Sequence, residues 1–314
     1  MESVRCQSFF HLHRTLRPIA PAIVALLLAG CVRPVVEVVP IAEREPTATS
    51  MREAGRERPK KPRPETLPTA PDALWEQAYA ATELGRSVEG RTITMHSFGD
   101  GPSPTLVFAA IHGNERNAAV VAKLLVDYLR EHPSAWAERS VAVIPIANPD
   151  GYARKSRTNA NGVDLNRNFP AGNWRGGRRR GRYFGSTHAA SEPETRAIMR
   201  AVERLRPGCV IAIHNIGGNR HCNNYDGPAE RLARLMSARN GYPAKANIGY
   251  PTPGSFGSWA GIDGGIPVIT LELPRRESGQ SAWEANREAL LAAIRAGEES
   301  SELRAAAMID QVGS

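Results

Sequence analysis

The chain has 314 residues, of which 41% are hydrophobic and 23% charged, and 40 Lys and Arg against 32 Asp and Glu give a formal charge of +8. That length can bury one sizeable core with at most a small extra domain, and the composition is ordinary for a globular protein rather than a disordered chain. A basic balance suits acidic substrates or an anionic surface, but no nucleic-acid-binding module is recognisable, so nucleic acid is not expected as a partner.

Residues 1–30 read as an export signal. Arg14 and Arg17 precede an apolar run, 18–30, that is too short to span a bilayer as a helix. The run closes with Leu28-Ala29-Gly30-Cys31, which resembles a bacterial lipobox and implies cleavage before Cys31 and lipid attachment to its sulfur. Val32 stands where inner-membrane retention often uses aspartate, so the expected anchor is the outer membrane, facing the periplasm. Cleavage would remove three arginines and one glutamate, taking the formal charge from +8 to +6. Residues 31–70 are rich in Pro, Arg and Glu and predict an extended tether without a packed core. Of the remaining cysteines, Cys209 and Cys222 are equally readable as a disulfide in an oxidising compartment or as two buried thiols.

The main domain is expected over 71–300, followed by a tail over 301–314. Apolar runs predict strands over 91–97, 104–111, 140–147, 208–214 and 267–273. Helical patterns are expected over 72–83, 116–131, 192–205, 227–239 and 281–297. The runs 104–111, 208–214 and 267–273 are almost wholly apolar, as for central strands buried on both faces. Such alternation predicts an α/β layered domain, in which ligands gather at the carboxyl ends of strands. A loop of Gly and Arg over 172–183 reads either as a solvated loop or as a clamp for an anionic substrate.

Three candidate chemical groups fall at one edge of that sheet. His112 and Glu115 follow the run 104–111 across Gly113, which permits a sharp turn. His214 ends the run 208–214, and Glu272 lies near the end of 267–273. Two imidazoles and a carboxylate suit catalytic zinc, which usually takes three protein ligands and keeps one open position.

The surrounding motifs raise this to a family resemblance. In order they are His112-Gly113-Asn114-Glu115, Asn148-Pro149-Asp150-Gly151, Asp164-Leu165-Asn166-Arg167-Asn168-Phe169, Ser191-Glu192-Pro193-Glu194-Thr195, Ala212-Ile213-His214 and Thr270-Leu271-Glu272-Leu273. The set resembles the zinc carboxypeptidase family over roughly residues 100–275. The resemblance implies a mixed sheet of about eight strands flanked by helices, with one zinc per chain held by His112, Glu115 and His214. It implies that Glu272 is the general base for zinc-bound water and that Arg157 stabilises the oxyanion; Arg154, three residues earlier, reads as a second cation by its position. Asn166 and Arg167 would hold a substrate carboxylate, and Tyr250 reads either as the family's mobile substrate tyrosine or as a surface tyrosine.

Residues 224–229 and 251–259 depart from digestive carboxypeptidases and resemble the bacterial murein peptide amidase branch, which cuts between γ-D-glutamate and meso-diaminopimelate. Asp226 reads either as a contact for the diaminopimelate amino group or as a turn-forming aspartate before Gly227. Rival readings are an ordinary metallocarboxypeptidase, a deacylase of the succinylglutamate desuccinylase and aspartoacylase kind, and a non-catalytic wall-binding lipoprotein. The segments at 148–151 and 191–194 stand against the deacylase. No Gly-x-Ser-x-Gly elbow supports a serine hydrolase.

Overall fold

The structure is a computed structural model in which residues 78–177 and 181–312 are described. The signal segment, Cys31 and the tether lie outside the described residues, as does the centre of the Arg-rich loop. All described elements belong to one unit, Glu65–Ser314.

Eight strands form one sheet: β1 (Tyr79–Arg86), β2 (Thr92–Phe98), β3 (Thr105–Ala109), β4 (Val141–Ile144), β5 (Cys209–Ile216), β6 (Cys222–Asp226), β7 (Ala244–Lys245) and β8 (Val268–Pro274). Their order is β1-β2-β4-β3-β5-β8-β6-β7. The central strands β4, β3, β5 and β8 run parallel, while β2 joins β4, and β6 joins β8, antiparallel. The helices are α1 (Arg116–Glu131), α2 (Pro149–Arg154), α3 (Pro193–Leu205), α4 (Glu230–Asn240) and α5 (Gly279–Val312).

Strand alternation splits the core in two. Val107, Ala109, Ile211, Ile213, Ile269 and Leu271 face the α1, α4 and α5 side. Leu106, Phe108, Val210 and Ala212 face the other side, where Ile198 of α3, Leu165, Phe169 and Phe256 meet them. Both faces of the central strands are therefore apolar, as expected for parallel strands covered by helices. The polar groups that do chemistry are left to the strand ends.

The expected helix over 72–83 is corrected: residues 79–86 are an edge strand. Tyr79-Ala80-Ala81-Thr82-Glu83-Leu84 carries good helix formers, but antiparallel pairing with β2, broken by a bulge between Glu83 and Gly85, decides its conformation. Strand β6 went unpredicted because its sequence, Cys-Asn-Asn-Tyr-Asp, is polar. The side chain of buried Asn223 donates to Ser237 Oγ, Asn240 Oδ1 and the Tyr242 carbonyl, which makes a buried amide affordable in a strand. Helix α5 continues through Val312, so the segment expected as a tail is helical to that residue. Cys209 and Cys222 are both buried and form no disulfide with each other. Among the described residues no helix is long and apolar enough to cross a membrane.

Candidate active site

The loop that carries His112 is shaped by a close crossing of two chain segments. After β3 the backbone takes a left-handed step at Ala110, with φ of 51°. Asn148 secures the exit: its backbone N–H donates to the Ala110 carbonyl at 3.1 Å, and its side-chain amide donates to the Ile111 carbonyl at 3.2 Å. The same side chain caps α2 by accepting from Gly151 N at 2.8 Å. A β-carbon on Gly113 would collide with the Gly151 backbone, so glycine at 113 lets these segments touch, while one on Gly151 would meet the Asn148 side chain and the Thr158 carbonyl. Asp150, fully buried, anchors α2 by accepting from Ser87 Oγ at 2.8 Å and Glu89 N at 2.9 Å. The Asn-Pro-Asp-Gly motif thus acts as a mould for the ligand loop.

His112, Glu115 and His214 converge. One ligand atom from each lies within 4.8 Å of the others, and all three residues are buried. Glu115 stands between the imidazoles, with Oε1 at 2.9 Å from His112 Nδ1 and Oε2 at 3.0 Å from His214 Nδ1. Burial disfavours the His112 cation, but the Glu115 and Asp164 carboxylates outweigh it and raise the pKa above its ordinary value. Burial also opposes ionisation of Glu115, yet the two histidines hold its carboxyl well below the ordinary range. Nitrogen and carboxylate donors that are buried, convergent and this close are the donor set of a catalytic zinc site, and the residues fit that ion.

Glu115 also occupies the N-cap position of α1 but makes no side-chain cap bond there. Asn215 does so from β5: its Oδ1 accepts from Ala118 N at 3.1 Å, while its own backbone N–H donates to Glu115 Oε2 at 3.2 Å. The strand bearing His214 therefore fixes both the start of α1 and the carboxylate on it.

Asp164 ties the triad to the cations. Its Oδ1 accepts from His112 Nε2 at 3.0 Å and Asn166 N at 3.1 Å, and its Oδ2 meets Arg157 Nε and a terminal nitrogen, both at 2.9 Å. Burial would raise this carboxyl, but His112 and then Arg157 and Arg167 bring it far below the ordinary range. Arg157 points onward to Glu115 Oε1 at 3.8 Å. Upstream, Asn159 donates to both Glu192 and Glu194, at 2.7 and 3.1 Å, so the Ser-Glu-Pro-Glu motif pins the loop that delivers Asp164.

A cavity of about 540 Å³ opens over this cluster. Its depth follows the strand register. At one level Asp226 of β6 pairs with Val268; two residues on, Asn224 and Ala212 flank Thr270; then Cys222 and His214 flank Glu272; finally Ile216 pairs with Pro274. Asp226, Asn224 and Thr270 thus line the floor, Glu272 and His214 the middle, and residues beyond Ile216 and Pro274 the rim. Burial raises the Glu272 carboxyl above its ordinary pKa, with His214 opposing and Glu115 adding to the shift. Burial pushes Asp226 up to about 6. A β-carbon on Gly257 would collide with the Asp226 carboxylate, so glycine there makes room for it. Gly257 opens a π-helical turn, Gly257–Asp263, a form frequent at functional sites. Asn166 is fixed to this floor segment, its Oδ1 accepting from Phe256 N at 2.8 Å.

Of the residues expected at the site, His112, Glu115, His214, Glu272, Arg157, Asn166, Arg167 and Tyr250 all line the cavity. Arg154 is a correction. It lies on α2, 48% exposed, paired with Glu89, and does not line the cavity. The helical step from Arg154 to Arg157 breaks at Lys155, which is left-handed, so the two cations diverge. Sequence reasoning gave no role to Asp164, although it opens the Asp-Leu-Asn-Arg-Asn-Phe motif. Asn215, Arg220 and Arg275 carried no motif at all. The Arg-rich loop delivers Arg182 and Tyr183 to the cavity wall, where the Tyr183 ring lies 5.4 Å from the Arg157 guanidinium and 5.5 Å from that of Arg167.

The zinc carboxypeptidase family profile matches residues 76–230. Murein peptide amidase A of Escherichia coli is 33% identical over 196 residues, covering 56% of this chain and 74% of that protein. The crystal structure of murein-tripeptide amidase from Escherichia coli O157 superposes with a TM-score of 0.57 at 30% identity, covering 69% of this chain and 92% of that one. Bovine thrombin-activatable fibrinolysis inhibitor, solved with tick carboxypeptidase inhibitor, shares the fold with a TM-score of 0.60 at 16% identity, over 72% of this chain and 92% of its own.

Proposed function

The chain belongs to the zinc carboxypeptidase family and is a zinc-dependent peptidase or amidase; from that premise we propose that it hydrolyses murein peptides at the amide between γ-D-glutamate and meso-diaminopimelate. One observation carries the choice of substrate. The cavity sets a half-buried carboxylate, Asp226, at its floor beneath walls that carry Arg157 and Arg167. A leaving group that bears both ammonium and carboxylate groups, as diaminopimelate does, matches that division. The identity to a murein peptide amidase supports the same reading.

His112, Glu115 and His214 would hold one zinc, which when bound supplies Lewis acidity and brings the pKa of water to about 7. Arg167, with Asn166 beside it, grips the leaving residue's carboxylate, for which a planar fork suits two-point contact. Asp226 receives its distal ammonium. Arg157, held by Asp164, aims its guanidinium at the oxygen of the scissile carbonyl, where negative charge develops. Glu272 takes a proton from the attacking water on a carboxylate oxygen and returns it to the departing amine. Its buried position raises its basicity for the first of these tasks. Tyr250 and Tyr183 flank the mouth and exclude water from the reacting centre.

The reading includes an envelope location. The apolar run 18–30 behind Arg14 and Arg17, and the motif ending at Cys31, support export and lipid attachment, with residues 32–70 as a tether from an outer-membrane anchor. An ordinary carboxypeptidase acting on C-terminal basic residues is the second reading, because Asp226 would also receive a lysine or arginine side chain.

The test is incubation of the zinc-loaded full-length protein with L-Ala-γ-D-Glu-meso-diaminopimelate beside a panel of C-terminal peptides, with products read by mass spectrometry. Release of free diaminopimelate with little from the panel is expected. Release from the panel alone would keep the metal chemistry and overturn the substrate.

A further inference from the structure

Two arginines at the cavity rim are used by none of the steps above. Arg275 follows directly on β8, three residues beyond Glu272, and its backbone N–H donates to the Ile216 carbonyl at 3.0 Å. Its guanidinium leans on the Asn215 carbonyl at 3.4 Å. Arg220 lies in the turn after β5, its Nε donating to the Gly217 carbonyl at 3.2 Å. Both line the cavity and both are exposed. Among the described residues neither has a carboxylate within ion-pair distance, unlike Arg91, Arg154 and Arg157, each of which meets at least one. Two cations with mainly carbonyl partners are thus presented, one from each of two neighbouring parallel strands, at one end of the cavity.

The register says which half of a substrate they face. The groups that hold the leaving residue lie toward the floor: Asp226 at the level of Val268, and Asn166 bound to Phe256 beside Gly257. Glu272 and His214 stand midway. Arg275 is about 10 Å further along the strand direction at about 3.3 Å per residue. With the leaving residue on the floor and the carbonyl at the middle, the acyl half of the substrate runs toward Arg220 and Arg275.

We propose that Arg220 and Arg275 form an anion subsite for the acyl half, reading the free α-carboxylate of a γ-linked glutamyl group. The proposal rests on the murein-peptide reading and deepens it. In an α-linked peptide the atoms next to the scissile carbonyl carry a neutral amide. In a γ-linked glutamyl group a short aliphatic spacer leads instead to a carboxylate, so a cationic rim selects the linkage as well as the residue. Arginine suits the task because its fork binds a carboxylate at two points and remains charged at any working pH.

The experiment compares the zinc-loaded full-length wild type with the Arg220→Gln/Arg275→Gln double variant on two substrates. One is L-Ala-γ-D-Glu-meso-diaminopimelate; the other is the same peptide with the glutamyl α-carboxylate converted to an amide. Wild type is expected to prefer the carboxylate form roughly 10–100-fold in kcat/KM, mostly through KM, as charge-assisted contacts imply. In the double variant the ratio between substrates collapses toward one, and Arg275→Lys retains part of it. Unfolding temperature and zinc stoichiometry confirm that the variant is folded. A preference kept in the double variant, or absent from wild type, overturns the subsite. If neither peptide is cut, the murein reading fails, and acylated C-terminal dipeptides with Glu or Gln before the scissile bond decide the rest. An arginine-dependent preference for Glu keeps the rim as an anion subsite; no preference removes it.

Discussion

Replacing Asp164 by alanine tests whether one carboxylate organises both metal ligand and oxyanion cation. Asp164 is fully buried and meets four donor atoms: His112 Nε2, Asn166 N and two guanidinium nitrogens of Arg157. Removing it leaves a guanidinium that is only 16% exposed with the more distant Glu115 Oε1, at 3.8 Å, as its remaining carboxylate. Breaking a buried pair by deleting one partner costs roughly 3–5 kcal/mol, and partial access to water places this case near 3. At about 2–4 °C per kcal/mol for a domain of this size, the unfolding temperature drops by about 6–12 °C. The lost acceptor also frees the His112 ring, and the loss of such an outer partner weakens metal binding by about 10–100-fold. Asp164→Asn keeps one acceptor oxygen, but its amide nitrogen must face His112 or Arg157, both donors, so it restores little. The assay is thermal unfolding in chelator, followed by zinc competition against a chromophoric chelator. An alanine variant with wild-type zinc affinity would refute the organising role, even if its stability fell.

Glu272→Gln is expected to cut turnover by roughly 10²–10⁴, the range of general acid–base contributions, while zinc stoichiometry stays at one per chain; comparable turnover would exclude Glu272 as the base. Asn215→Ala removes the acceptor that caps α1 and should cost about 1 kcal/mol, with faster amide exchange at Ala118 and weaker zinc binding; unaltered exchange there would dismiss the cap. For Asp226 the sign follows from its raised carboxyl, about 6 when folded against about 3.9 unfolded. Such a group imposes no penalty at low pH, destabilises progressively between about pH 4 and 6, and keeps that penalty above. Asp226→Asn should therefore melt with wild type near pH 4 and above it at pH 7, while raising KM for the diaminopimelate peptide. Parallel melting profiles would contradict a buried charge at the floor.

The sheet was legible wherever burial wrote an apolar run. Strands β3, β4, β5 and β8 fall close to their expected positions because central strands need apolar faces on both sides, and β2 does so through alternation that buries Ile93, Met95 and Phe98; helices α1, α3 and α4 follow from their apolar stripes. The edges were not legible. Strand β1 has helix-forming residues and is held by pairing with β2 and by the packing of Leu84 and Tyr79 against the two cores, and β6 hides its buried asparagines behind a polar sequence. At the site, His112, Glu115, His214 and Glu272 were readable because motif and strand end coincide. Arg154 misled because it stands only three residues before Arg157, whereas the helix that carries it ends at a left-handed Lys155 between them. Asn215, Arg220 and Arg275 act through tertiary position: nothing in their neighbours in the chain marks an asparagine that caps a helix 97 residues earlier.

Strand β8 puts Thr270 and Glu272 toward the cavity and Ile269, Leu271 and Leu273 toward the opposite core. Sliding it by one residue against its neighbours would exchange the two faces, bringing leucine to the reacting centre and driving a carboxylate into oil. The layer of greasy side chains behind the sheet, far from any substrate, is what keeps that from happening, since only one alignment lets it pack. Enlarging or shrinking Leu271 or Leu273 is therefore a way to detune the chemistry from behind, without touching a single group that meets water or peptide.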